Sequence, residues 1–201
     1  MDNKEMALYA AQMEEIKRRL NVIEYYLTGK GHALYEPTTI ESSCLQVRKV
    51  LELIAFSTLV SNKSMIEEVQ KKFSNSWNAE FLLKDIERVN PDFYPRPVRY
   101  KSIENSRAKH KIVNFEGDFL DRDEFVKVYK KCGGIMHARN PIGRKISYEY
   151  YRVNLPIWLE KINNLLKIHE VKLIRHDGLN IVFMENDEGN VIFRPHTRVS
   201  S

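Results

Sequence analysis

The sequence predicts a mainly helical fold: an up-and-down multi-helix bundle carrying a small antiparallel β-meander at its C-terminus. Three observations predict it. Apolar residues recur at intervals of three and four over residues 3–28 and again in the later helical stretches, the last ending at about residue 169. The stretch holding Leu51, Leu53, Ile54, Ala55, Phe56, Leu59 and Val60 is apolar nearly all round, as a helix at the centre of a bundle must be. Near Val171 the period changes from about 3.6 to 2, the mark of strands. The same change divides the chain into a helical domain, 1–170, and a β appendage, 171–201, packed on it.

The first helix is expected over residues 3–28, with Met6, Ala10, Met13, Ile16, Leu20, Ile23 and Leu27 on one face and Gly29 and Gly31 as its stop. A loop through Pro37 follows. Thr38 or Thr39 then caps a second helix over about 39–61. On it Glu41, Arg48 and Glu52 stand seven and four residues apart and so share a face. Arg48 and Glu52 are placed for an ion pair within the helix. That face is either a solvated stripe or a polar seam lining the same cavity as His137.

Two shorter helices are expected over 63–74 and 77–89, the second with Trp77, Phe81, Leu82 and Ile86 as its apolar face. The prolines of Asn90-Pro91-Asp92-Phe93-Tyr94-Pro95-Arg96-Pro97 exclude a helix, and the aromatics point to an ordered, packed loop. Residues 98–120 begin basic and read either as a mobile flap or as a pair of irregular strands. Asp121 or Asp123 caps the next helix, which runs to His137. The last helix spans about 147–169, with Leu155, Trp158, Leu159, Ile162, Leu165, Leu166 and His169 along one face. Either it kinks at Pro156, or Asn154 caps a fresh start there. The meander is expected as strands at 171–175, 179–185 and 190–195, with turns at Asp177-Gly178 and 186–189.

Composition narrows the function. The chain has 201 residues, 43% hydrophobic and 29% charged, an ordinary globular balance. It has no long apolar run and a charged N-terminus, so a soluble cytoplasmic protein without a membrane segment is expected. A net charge of +5 permits a nucleic-acid or nucleotide partner without requiring one. Cys44 and Cys132 have no metal-type spacing and read as free thiols of a reducing compartment. Neither Gly29-Lys30-Gly31 nor Gly133-Gly134 has the flanking pattern of a phosphate loop. Paired histidines at zinc spacing and serine-nucleophile elbows are absent, and His169, His176 and His196 match no ligand signature. No cofactor and no metal are expected.

The chemistry-bearing segment is 129–141, Tyr-Lys-Lys-Cys-Gly-Gly-Ile-Met-His-Ala-Arg-Asn-Pro. It frames His137 with Lys130, Lys131 and Arg139, the makeup of an oxyanion site beside an imidazole, which ordinarily titrates near neutrality. The ordinary alternative is that a helix C-terminus attracts cations through its dipole.

A helical bundle whose penultimate helix ends in a basic residue, a short spacer and a His resembles the HEPN superfamily, the helical domains of many prokaryotic toxin and antiviral-defence proteins. Its active members carry an Arg, a polar residue, a spacer and a His, with four to six residues between Arg and His. Here five residues separate Lys131 from His137, and six separate Lys130 from it. Lys stands in place of Arg, Cys132 in place of the polar residue, and two glycines occupy the spacer. Arg139 and Asn140 follow the His and could supply what those changes remove.

The resemblance implies a metal-independent ribonuclease and, since many members dimerise, a homodimer; it leaves room for a partner protein encoded nearby. It places His137, Lys131 and Arg139 in catalysis, with His137 moving the proton and the two cations holding the phosphate. Lys130, Asn140 and Arg144 become phosphate or RNA contacts, joined by Arg48, with Glu52 and Glu41 in support, where the seam of the second helix lines the same cavity. It equally allows a non-catalytic member that dimerises or senses a nucleotide.

Overall fold

The computed structural model describes residues 3–60, 79–102, 110–138, 142, 146–172 and 179–196. Among them are five helices and five strands: α1 (Asn3–Leu27), α2 (Glu36–Val60), α3 (Ala79–Val89), β1 (Arg96–Ser102), β2 (His110–Asn114), α4 (Arg122–Gly134), α5 (Tyr148–Leu166), β3 (Ile168–Val171), β4 (Leu179–Phe183) and β5 (Ile192–His196). The fold is largely helical, but the expected small meander is corrected to a five-stranded antiparallel sheet in the order β2-β1-β3-β4-β5. The three C-terminal strands do form a meander. On its other side β1 pairs with β3, Arg96 opposite Glu170 and Pro97 opposite His169, and β2 pairs with β1. The helix expected over 63–74 and Trp77 lie outside the described residues.

α1 forms as its spacing requires. Tyr9, Met13, Ile16, Leu20 and Ile23 fall on one face and are all buried against α2. Arg19 Nη1 donates to Gln46 Oε1 at 2.8 Å, which helps fix the two helices side by side. α2 begins earlier than the sequence suggested. Pro37 lies inside its first turn, where its missing N–H costs nothing. The Thr38 and Thr39 hydroxyls donate back to the Tyr35 carbonyl. Cys44, Val47, Leu51, Ile54, Ala55 and Leu59 make α2 the central helix, touching α1, α3, α4 and α5.

The 90–95 loop is ordered, as its aromatics suggested. Phe93 is buried, Asn90 closes a turn by accepting from Asp92 N, and the Tyr94 hydroxyl donates to the Leu120 carbonyl at 2.9 Å. Asp121 is the N-cap of α4, accepting from Glu124 N at 2.7 Å. Ser147 caps α5, and that helix runs unbroken through Pro156. α3 buries Leu83 and Ile86, while Phe81 is exposed.

α5 stops at Leu166, three residues short of expectation, and the chain turns directly into β3. His169 is therefore on a strand and fully buried, facing α1. The Tyr9 hydroxyl lies 2.7 Å from its Nε2, and its Nδ1 lies 2.7 Å from the Leu166 carbonyl. Both contacts fit one neutral tautomer: Nδ1–H donates to Leu166, and Nε2 accepts from Tyr9.

Next to it, Glu170 is sealed in the sheet at 2% side-chain exposure, and its Oε2 takes both Nε (2.7 Å) and Nη2 of Arg96, the residue opposite on β1. Glu170 Oε1 is buried without a hydrogen-bond partner among the described residues. Removing Arg96 would strand a buried carboxylate. Arg96→Ala is expected to cost about 2–3 kcal/mol, below the full value for a sealed pair because Arg96 itself is half exposed. Lys172→Ala, which breaks an exposed pair with Asp92, should stay within about 1 kcal/mol. Urea unfolding of both variants and of Arg96→Ala/Glu170→Leu checks this. The double variant should recover most of the loss, and equal costs for the two single variants would refute the argument.

Candidate functional site at the C-terminal end of α4

α4 buries Phe125, Val128, Tyr129 and Cys132 and turns its lysines outward. It ends at Gly134, not at His137 as expected. Ile135 caps it, donating its N–H to the Gly133 carbonyl. His137 lies three residues beyond the helix, so Lys131 and His137 do not share a continuous helical face. His137 is exposed and has no hydrogen-bond or ion-pair partner among the described residues. Lys131 is also exposed, and its Nζ sits 5.1 Å from the centroid of the Tyr150 ring at the start of α5. Below it the Tyr151 hydroxyl donates to the Lys131 carbonyl at 3.1 Å. Burial pushes the Tyr151 phenol up to about 12, with the neighbouring thiols adding to the rise. Arg139, Asn140 and Arg144 lie outside the described residues.

The polar face of α2 meets this helix end. Arg48 Nε donates to Glu52 Oε1 at 3.2 Å, and Arg48 Nη2 donates to the Tyr129 hydroxyl at 2.6 Å. That hydroxyl donates in turn to Glu52 Oε1 at 3.3 Å. The guanidinium carbon also stands 4.1 Å from the centre of the Tyr129 ring. With side chains 27% and 12% exposed, Arg48 and Glu52 form a half-buried network reaching into α4, not a solvated stripe. Burial raises the Tyr129 phenol above its usual range. Lys49 reaches the far oxygen of Glu52 at 3.8 Å. Glu41 is separate: it accepts from the Tyr148 hydroxyl at 2.9 Å and ties α2 to the start of α5.

Cys132 takes no part in this surface. It is sealed in the core beside Cys44; its hydrogen bond to that thiol, reinforced by burial, drives its own thiol far up, which makes it inert. Among the described residues no three His, Cys, Asp or Glu side chains gather as they would around a metal. No helix there is long and apolar enough to cross a membrane. His169 is spent on Tyr9 and Leu166.

Sequence reasoning missed Tyr129 and Tyr150, which join the polar residues of α2 and α4 to α5. Their only sequence signals were the lysine that follows Tyr129 and the aromatic cluster Tyr148, Tyr150 and Tyr151. It also missed a cleft of about 570 Å³ between α1, α5 and the β4 end, floored by Leu20, Leu166 and Met184.

Fold and site together define a mixed helix-and-sheet protein with a basic, aromatic-flanked helix end. No family model, curated protein or solved structure matches the chain.

Proposed function

We propose that this is a HEPN-like protein that binds or cleaves RNA through the end of α4, without a metal, in prokaryotic defence or toxin action in the cytoplasm. The observation that carries the reading is the Lys131–Tyr150 pair at the end of α4, followed three residues past the helix by the exposed, unengaged His137. A cation lying over an exposed aromatic ring offers a phosphate contact and a stacking face together, which is how single-stranded nucleic acid is held without sequence preference. An exposed imidazole at the same helix end is available for proton transfer at a ribose hydroxyl or leaving oxygen. Arg48 and Lys130 add positive charge around it, while Glu52 and Glu41 hold the supporting side chains. Arg139, Asn140 and Arg144 follow His137 closely in the chain and belong to the same proposal.

The test is incubation of the purified protein with labelled single-stranded RNA in EDTA. Cleavage that survives chelation supports the enzyme, and retention without cleavage supports the binder. Replacing Lys130 and Lys131 by Ala together should weaken retention and reduce the dependence of log K on log salt by about 1.4, at roughly 0.7 for each single-strand phosphate left without its cation. An RNA affinity that ignores both salt and these lysines would remove the reading.

A second reading has its own observation. Tyr150, Val153 and Ile157 are exposed at 38%, 54% and 44% and stand at i, i+3 and i+7 on α5. An apolar stripe of that kind suits a non-catalytic, dimerising or nucleotide-sensing module. If it is the dimer face, Val153→Asp should convert the sedimenting species to monomer with the thermal midpoint of the fold retained. A monomeric wild type would refute it.

A further inference from the structure

We propose that Arg48, whose guanidinium packs from α2 into the space left by the missing side chain of Gly133, is the oriented oxyanion-binding group of this surface, and that Glu52 and Tyr129 are its positioning residues. The inference rests on the reading of the α4 end as a phosphate-handling surface and names the residue that grips the phosphate. A guanidinium has five N–H donors in a rigid fork. Two of its nitrogens are committed here, Nε to Glu52 and Nη2 to Tyr129, and the Tyr129 ring fixes its plane. Nη1 has no hydrogen-bond partner among the described residues.

Nη1 lies against the α-carbon of Gly133. A β-carbon built there would stand 2.3 Å from it, closer than two such atoms can approach, whereas one at Gly134 would meet nothing within 4 Å. The two glycines are therefore not equivalent. Glycine inside a helix is unfavourable by about 1 kcal/mol relative to Ala, and at position 133 that cost admits the guanidinium.

The local charge favours an anion. Arg48 and Lys49 of α2 and Lys130 and Lys131 of α4 bring cations to this surface, and Glu52 is the carboxylate that Arg48 and Lys49 engage. The fork also supplies what Lys131 lacks, a planar donor set matched to phosphate oxygens. A simple brace between α2 and α4 would explain the bonds to Glu52 and Tyr129, but it gives no reason for a glycine that lets Nη1 pack against α4 with no hydrogen-bond partner among the described residues. The class of ligand is a phosphate ester, carried either by an RNA backbone or by a free nucleotide.

The test follows the Gly133 amide and the Arg48 Nε–H signals of the full-length protein by nitrogen-15 NMR. Inorganic pyrophosphate, AMP and a single-stranded RNA oligonucleotide are added in turn. Both signals should move saturably with pyrophosphate. Arg48→Lys keeps the charge but loses the fork, and should weaken binding about tenfold. Gly133→Ala should weaken it similarly while the thermal midpoint stays level or rises, an outcome a purely structural role does not give. Tyr129→Phe should give a smaller loss. RNA binding tighter than AMP identifies the backbone as the source, and the reverse identifies a nucleotide. If pyrophosphate moves the two signals but RNA does not bind, the RNA reading fails and this inference stands. If RNA binds equally to wild type, Arg48→Lys and Gly133→Ala, this inference fails and the RNA reading stands. Pyrophosphate that leaves both signals unmoved overturns it directly.

Discussion

His137→Ala is expected to lower RNA cleavage in EDTA by about 10²–10⁴-fold, the range over which a positioned proton-transfer group acts. The loss should fall on the single-turnover rate at saturating protein, because an exposed imidazole contributes little to holding RNA. Lys131→Ala should act the other way, weakening RNA retention and lowering the rate less, since its ammonium is placed for charge and not for proton transfer. The fold should not notice the histidine change. The ring is exposed and bonds to no described residue, so the thermal midpoint should match wild type within the small range of surface substitutions. That separation makes the result decisive: an inactive, equally stable variant cannot be explained by unfolding. Wild-type cleavage by His137→Ala would remove the residue from the chemistry and leave the lysines and Arg48 as a binding surface.

Much of the helical part was legible in the sequence because its signal is local. The stripe Met13, Ile16, Leu20 and Ile23 depends only on the period of one helix, and so does the apolar girth of α2. The sheet was harder for a physical reason. β1 carries the alternation of a half-buried strand, Val98 and Tyr100 inward against Arg99 and Lys101 outward. Its partner on one side is β3, more than sixty residues away, and no local pattern announces such a pairing. Prolines at 91, 95 and 97 further hid the strand by reading as loop.

The candidate site divides along the same line. The Arg48–Glu52 pair could be read from i, i+4 spacing, and it is present. Its link to Tyr129 spans 81 positions and exists only in the packed molecule. Spacing also suggested that Lys131 and His137 would stack on one helix. That failed because Gly133 and Gly134 end α4 before the histidine; counting residues cannot say where a helix stops when two weak formers stand together. The same limit misplaced His169, counted on the face of α5 but delivered by β3 into the core.

The buried His169 makes stability depend on pH in a defined window. Burial lowers its pKa from 6.5 to about 4, only partly opposed by the bond to the Leu166 carbonyl. In the unfolded chain the ring takes a proton near 6.5, while in the folded chain it resists until about 4. Between those values the unfolded state binds the extra proton, so stability must fall as pH falls. The contribution is fully present above about pH 7 and is lost progressively on acidification. The total approaches about 3 kcal/mol, at 1.36 kcal/mol for each pH unit separating the two values. Carboxylates also titrate at the lower end, so the histidine is isolated by difference. His169→Gln can still donate to Leu166 and accept from Tyr9, yet it cannot take the proton. Urea unfolding of wild type and variant between pH 7.5 and 4.5 should show the wild type losing stability faster, by up to about one proton per molecule. Parallel curves would mean that the folded ring takes its proton as readily as the unfolded one, and the neutral ring assigned from Tyr9 and Leu166 would then not persist below about pH 6.5.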